Sequence, residues 1–155
     1  MIEIERKFLV TSPKYKEESV KSTRIIQGFL NTHKERTVRI RLKGEQGFLT
    51  VKGMSSKDGL SRFEWETEIS KSEAKDLLEI CEPGVIDKVR YEVFVGSHTF
   101  EVDEFFGENE GLVIAEVELN SETEFFLKPD WLGKEVTGEV KYYNSELSKS
   151  PYKLW

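Results

Sequence analysis

The chain has one cysteine, Cys81, and two histidines, His33 and His98, in 155 residues. A single cysteine excludes an intrachain disulfide and points to a reducing compartment. Cys81 falls on the apolar side of a predicted helix, where a thiol behaves as a small buried hydrophobe. Two separated histidines near turns do not make a zinc site, and both read as surface residues. No Gly-x-x-x-x-Gly-Lys-Ser/Thr or Gly-x-Gly-x-x-Gly loop occurs, so the familiar loop-and-helix phosphate cradles are missing. A Gly-x-Ser-x-Gly nucleophile elbow is missing too. No apolar run reaches the roughly 20 residues a membrane-spanning helix needs. The first charges come at Glu3, Glu5, Arg6 and Lys7, which is unlike a secretory signal. These absences set the expectation of a cytoplasmic protein without a membrane partner. Basic excess is also lacking: the formal net charge is −6, which disfavours nucleic acid as a partner. A small polyanion held in a local basic pocket remains compatible with it.

What the chain has in quantity is charge and aromatic surface. Charged residues are 34% of the sequence, and ten Phe, five Tyr and three Trp exclude a disordered chain. The charges alternate. Glu3, Glu5 and Lys7 occupy every second position of the opening segment from Met1 to Val10, with Ile2, Ile4 and Phe8 between them. In a strand, side chains two apart share a face.

The habit recurs in Arg39, Arg41 and Lys43; Thr50 and Lys52; Arg62, Glu64, Glu66 and Glu68; Lys88, Arg90 and Glu92; Glu101 and Asp103; and Glu116 and Glu118. The opposite faces carry Phe63, Trp65 and Ile69; Val89, Tyr91, Val93 and Val95; Phe100, Val102 and Phe106; and Val113, Ala115, Val117 and Leu119. These aromatic and aliphatic residues read as core.

The predicted strands are 1–10, 24–32, 36–43, 48–53, 61–69, 86–95, 98–106 and 112–119, most joined by short glycine-containing turns. Ser12-Pro13 starts a short helix to about Ser19. Ser70-Lys71-Ser72-Glu73 has capping-box spacing ahead of Ala74, Leu77, Leu78 and Cys81. Ser121 to Glu124 resembles a further helix start, and a short helix is expected near 144–149. With no linker or repeat, residues 1–155 read as a single domain. About eight hairpin-connected strands fit a closed antiparallel β-barrel, mainly β with short flanking helices, because closure removes exposed sheet edges.

An open sheet with its charges in water would alternate in the same way. The signs, however, segregate into i, i+2 pairs: Glu3/Glu5, Glu64/Glu66 and Glu116/Glu118 are acidic, and Arg39/Arg41 and Lys88/Arg90 are basic. Converging carboxylates repel unless a cation joins them, and hard divalent ions prefer carboxylate oxygen. Converging guanidinium and ammonium groups call for an anion, and the arginine fork matches phosphate. One lumen holding both clusters specifies a metal together with a phosphate chain.

In order along the chain, Glu-Ile-Glu-Arg-Lys-Phe-Leu-Val at 3–10, Gln27-Gly28-Phe29-Leu30, Arg39-Ile40-Arg41, Thr50-Val51-Lys52-Gly53, Arg62-Phe63-Glu64-Trp65-Glu66, Lys88-Val89-Arg90-Tyr91, Glu101-Val102-Asp103 and Glu116-Val117-Glu118 resemble the CYTH, or triphosphate tunnel metalloenzyme, family. The resemblance spans nearly the whole chain. It implies an eight-stranded tunnel that binds a triphosphate with Mg²⁺ or Mn²⁺, two ions, and hydrolyses a terminal phosphoanhydride, with inorganic tripolyphosphate the leading substrate. Adenylate cyclase, thiamine or nucleoside triphosphatase, and a noncatalytic polyphosphate sensor are the alternatives.

By this resemblance Glu3, Glu5, Glu64, Glu66, Asp103, Glu116 and Glu118 would form the metal-binding acidic set. Lys7, Arg39, Arg41, Lys52, Arg62, Lys88 and Arg90 would grip the phosphates, and Glu5, Lys7, Arg62 and Glu118 would act in catalysis. Lys141-Tyr142-Tyr143-Asn144 resembles the segment entering the family's plug helix, so Lys141, or Lys134, would add a further basic group. Phe105, Phe106, Trp131 and Trp155 are candidates for core or rim packing ahead of a homodimer contact.

Overall fold

A computed structural model describes residues 2–155; Met1, placed by the sequence in the first strand, lies outside the described residues. Among the described residues nine strands are present: β1 (Ile2–Val10), β2 (Lys21–Asn31), β3 (Arg36–Lys43), β4 (Gln46–Gly53), β5 (Ser61–Ile69), β6 (Ile86–Val95), β7 (His98–Phe105), β8 (Val113–Glu118) and β9 (Leu132–Glu135). Three α-helices accompany them: α1 (Tyr15–Glu18), α2 (Lys71–Glu79) and α3 (Asn144–Leu147). The first eight strands close in the order β1-β5-β4-β3-β2-β6-β7-β8, each antiparallel to its neighbours.

Closure depends on β1, one edge of which is shared. Residues 2–4 pair with β5, whereas Phe8 and Val10 pair with β9. Between them, Glu5 N–H donates to the Leu60 carbonyl (3.0 Å) and Lys7 N–H to Thr137 Oγ1 (2.9 Å). The seam is sealed by two glycine turns, with Gly59 at φ +76° and Gly138 at φ +79°. A Cβ on Gly59 would sit 2.3 Å from Gly138 Cα, so neither a side chain nor the backbone angle suits another residue.

The alternation that the sequence shows places the apolar core outside the barrel. On the outer face of β6, β7, β8 and β1, Phe8, Val93, Phe100, Val102, Ala115 and Val117 meet Tyr15 of α1 and the covering residues Leu119, Phe126 and Trp131. A second cluster closes one end of the lumen. There the inward face changes from charged to apolar at Leu9, Ile86, Phe105 and Ile114, and these pack on Val136, Tyr142 and Leu147 of the C-terminal segment. Helix α2 has the expected capping box: Ser70 Oγ accepts from Glu73 N–H, and the Glu73 carboxylate accepts from Ser70 N–H. It lies against β2, β3 and β4. Cys81, just beyond α2, is half-buried with its side chain close over Gly28, where a Cβ would approach to 2.9 Å.

Three expectations change. Ser121–Glu124 forms no helix, because the Glu124 carboxylate accepts from Asn120 N–H and pairs with His98, and the chain runs on extended so that Phe126 reaches Phe8 and Phe100. His98 is accordingly mostly buried rather than a surface residue. Phe63 and Trp65, read as core, are 45% and 40% exposed, since β5's outer face carries no covering element comparable to α1 or α2. Of the aromatics weighed for a dimer contact, Phe105 and Trp131 are core residues, and Trp155 packs edge-on against Tyr142 and Tyr152.

Candidate functional site

The lumen is a polar cavity of about 290 Å³ into which nearly every charge singled out by the sequence projects. Glu3, Glu5 and Lys7 of β1 and Glu116 and Glu118 of β8 form one wall. The strand register sets Glu5 opposite Glu118 and Lys7 opposite Glu116. Arg39 and Arg41 of β3, with Lys88 and Arg90 of β6, form the basic side. Lys52 of β4 and Arg62, Glu64 and Glu66 of β5 complete the ring.

Opposite charges hold much of this ring in place. Lys52 Nζ lies 2.9 Å from Glu3 Oε1 and 3.3 Å from Glu64 Oε2. Thr50 Oγ1 donates to Glu66 Oε2 (2.6 Å) and accepts from Arg39 Nη2 (3.2 Å). Arg62 donates from Nε and Nη2 to the Gly53 carbonyl, at 3.0 and 2.8 Å. Arg39 Nε is buried without a hydrogen-bond partner among the described residues. A donor left unmet in this way is costly, and an anion's oxygen would satisfy it.

Asp103 stands apart from the other acids. It is 1% exposed and does not line the cavity. Its two oxygens take the Arg90 fork at 2.8 and 2.9 Å, and Lys88 Nζ approaches one of them at 2.8 Å. Against the cost of burial, Arg90 and Lys88 hold its carboxyl well below the usual carboxylate range. Its geometry is that of a counter-ion behind two cavity cations. Lys141 is likewise not brought into the ring: it is exposed, with its ammonium 4.5 Å from the Trp155 ring centroid. The other C-terminal candidate, Lys134, is exposed and faces Glu139 at 4.0 Å.

Electrostatics divide the acids. Burial, then the neighbouring Glu116 and Glu3, push Glu5 well above its ordinary range. Glu116, though buried, is held at about 2 by the charge of Lys7 and by a hydrogen bond from Glu5. Burial and a hydrogen bond with Glu3 raise Glu64 to about 6, and burial with Glu3 and Glu101 nearby raises Glu118. On the basic side, burial lowers Arg41 to about 9, with Arg39 and Arg90 adding to the effect. Burial also lowers Lys88 to about 7 against the pull of Asp103.

Among the described residues no three acidic, histidine or cysteine side chains are gathered closely enough to hold an ion as they stand. The donor chemistry nevertheless fits one. Glu5 and Glu116 are carboxyls sharing a hydrogen bond in a desolvated wall, and a hard divalent cation satisfies that pairing better than a proton does.

The cavity residues Thr37, Tyr143 and Asn144, and Gln27 buried behind Arg41, carry no alternating-charge signal and were not given roles by the sequence. Besides its place in Gln27-Gly28-Phe29-Leu30, Gln27 had one available signal, a lone amide between Ile25 and Phe29 on an otherwise apolar strand face.

Fold and lining together define a charged β-tunnel protein, closed at one end by its own C-terminal segment. The comparisons with known proteins agree. The CYTH domain model matches residues 1–151. The chain is 51% identical over 152 residues to an inorganic triphosphatase of Acetivibrio thermocellus, covering 97% of this chain and 96% of that protein. It is 35% identical over 154 residues to an inorganic triphosphatase of Nitrosomonas europaea, covering 97% and 99%. The crystal structure of the inorganic triphosphatase NE1496 superimposes with a TM-score of 0.66 at 32% identity, over 94% of this chain and 93% of that one. This chain belongs to the CYTH family.

Proposed function

We propose that this protein hydrolyses the terminal phosphoanhydride of inorganic tripolyphosphate with the help of Mg²⁺ or Mn²⁺, taking up water and releasing orthophosphate and pyrophosphate. The observation that carries the reading is a lumen in which a carboxylate wall on β1 and β8 faces a guanidinium and ammonium wall on β3 and β6. Simple anion binding would need only the second wall. Relatives named inorganic triphosphatase, matched over nearly their full length, support the same reaction.

Glu3, Glu5, Glu64, Glu66, Glu116 and Glu118 would hold the metal ions. Asp103 leaves the set that the resemblance implied, because Arg90 and Lys88 take its oxygens. A bound divalent ion neutralises phosphate oxygens and makes a coordinated water more acidic. Arg39, Arg41, Lys52, Lys88 and Arg90 bind and orient the phosphate chain. Lys7 and Arg62 stabilise the charge that spreads over the transferring phosphoryl oxygens, as fixed donors that need no reorganisation. Glu5 and Glu118, facing each other across β1 and β8, orient the attacking water, and Glu118 receives its proton. No side chain forms a covalent bond to phosphorus.

The test is incubation of the purified protein with tripolyphosphate, ATP or thiamine triphosphate, each with and without Mg²⁺ or Mn²⁺. Metal-dependent orthophosphate release, fastest from tripolyphosphate, is expected. Cyclic AMP from ATP, or tight binding with no turnover of any of the three, would overturn the reading.

A further inference from the structure

Arg41 differs from Arg39, Lys52, Lys88 and Arg90 in the lumen. Arg39 faces Glu66, Lys52 faces Glu3 and Glu64, and Arg90 and Lys88 face Asp103. Among the described residues no carboxylate lies within ion-pairing distance of Arg41. Its Nε donates instead to Gln27 Oε1 at 3.1 Å. Gln27 Nε2 then donates to Asn144 Oδ1 at 2.9 Å, and the same oxygen accepts from Lys88 Nζ at 3.0 Å.

The polarity of this chain of bonds is fixed from both ends. Arginine and charged lysine only donate, so each amide must turn its oxygen toward a cation. Gln27 meets Arg41 with its oxygen, which leaves its NH₂ for Asn144, and the Asn144 oxygen then serves both Gln27 and Lys88. One assignment satisfies every group. Gln27 has no exposed surface, and Lys88 is 1% exposed. The relay therefore joins β3, β2 and β6 to the first residue of α3, the element that closes the lumen.

Neutral amides at these positions have a consequence that carboxylates would not. A carboxylate would aim a cation equally well but would also cancel its charge toward an incoming anion. An amide oxygen takes up one N–H, fixes the direction of the side chain and leaves the positive charge available. We propose that Gln27 and Asn144 are positioning residues that aim Arg41 and Lys88 at the phosphate chain, leaving Arg41 without a countercharge and adding none to the one Asp103 already gives Lys88. Both act through the two cations, and the proposal rests on the reading of the lumen as a polyphosphate site.

The test compares Gln27→Glu, Gln27→Met and Asn144→Asp with the natural protein by three measurements. These are thermal unfolding, steady-state hydrolysis of tripolyphosphate with saturating Mg²⁺, and calorimetric binding of tripolyphosphate in EDTA. Asn144→Asp is expected to melt no lower than the natural protein, since its carboxylate still accepts from Gln27 and Lys88, whereas Gln27→Glu gives Arg41 a countercharge but loses the bond to Asn144 and should melt close to the natural protein. Their tripolyphosphate affinity should nevertheless fall about tenfold or more, with KM rising more than kcat drops. Gln27→Met adds no charge, and it should also lose affinity because Arg41 loses its guide. A purely structural role predicts that affinity follows melting temperature. Natural affinity in Gln27→Glu, or in a folded Gln27→Met, would overturn the proposal. The EDTA arm reads phosphate binding even if the natural protein turns over no triphosphate, so failure of the relay is distinguishable from failure of the hydrolase reading.

Discussion

Replacing Asp103 by asparagine separates two roles that share one residue type. The side chain is 1% exposed and takes three short contacts: Arg90 Nε at 2.8 Å, Arg90 Nη2 at 2.9 Å and Lys88 Nζ at 2.8 Å. Asparagine keeps the shape and loses the charge, leaving two buried cations beside each other. Removing one member of a buried ion pair costs roughly 3–5 kcal/mol. Glu101 remains 3.3 Å from Arg90 Nη1, so a loss at the low end, about 3 kcal/mol, is expected. For a domain of this size that lowers the melting temperature by roughly 6–12 °C.

The assay is thermal unfolding of both proteins in metal-free buffer across pH. Because the folded-state pKa of Asp103 is depressed, its contribution is fully present above the unfolded value of about 3.9 and is lost as pH falls toward the folded one. The gap between the two proteins should be widest between about pH 5 and the discharge of Lys88 near about 7, shrink in stronger acid and narrow again at higher pH. A variant that melts with the natural protein in the absence of metal, yet fails only in metal-dependent turnover, would refute the counter-ion argument and return Asp103 to the metal-binding acids.

Three further outcomes are expected. Glu116→Gln should retain the fold, since the amide oxygen can still accept from Glu5, though at a lower melting temperature because Lys7 loses its countercharge, while metal-dependent phosphate release falls about 100-fold or more; near-natural activity would remove Glu116 from the site. Gly59→Ala should cost about 2–4 kcal/mol, from a left-handed backbone angle and a Cβ driven into Gly138, and an unchanged urea midpoint would show that the seam yields freely. Burial lowers Lys88 to about 7, so it is partly neutral near that pH, and a bound polyanion restores its charge. Metal-free tripolyphosphate binding should then take up a proton and weaken as pH rises through about 7, by at most one decade per pH unit. Calorimetry in buffers of different ionisation enthalpy would read that proton directly.

The barrel was legible because alternation is a local property. Glu3/Glu5/Lys7 and Arg39/Arg41 declare a face without reference to any partner, and the strands β3 and β6 match the predicted bounds at 36–43 and 86–95. What covers the other face depends on distant chain. Phe63 and Trp65 have the same strand pattern as Phe100 and Val102, but only the latter pair meets Phe126, Trp131 and α1's surroundings. β9 was missed because four residues containing Gly133 carry too little pattern to mark a strand, and its pairing comes from β1's divided edge. Asp103 and Lys141 show the limit for the site. Asp103 lies on the expected face, but its register with Arg90 turns it into a partner of bases; Lys141 belongs to a segment whose course is set by Tyr142 packing into the closed end. Gln27 and Asn144 were hidden because a neutral amide leaves no charge pattern.

The location of the cores outside the lumen has a consequence for how this protein tolerates change. Consecutive residues of one strand serve different ends: Tyr91 and Val117 face packing, Arg90 and Glu116 face the cavity. Substitutions in the lumen can alter what is bound with little injury to folding, and substitutions on the outer face can alter folding with little change in chemistry. Insertion or deletion of a single residue within a wall strand has no such freedom. It turns every following side chain through the sheet, sending carboxylates and guanidiniums into the apolar clusters and valines into the tunnel. Function here is open to variation by exchange and closed to it by shift, so length differences among working variants belong in the turns.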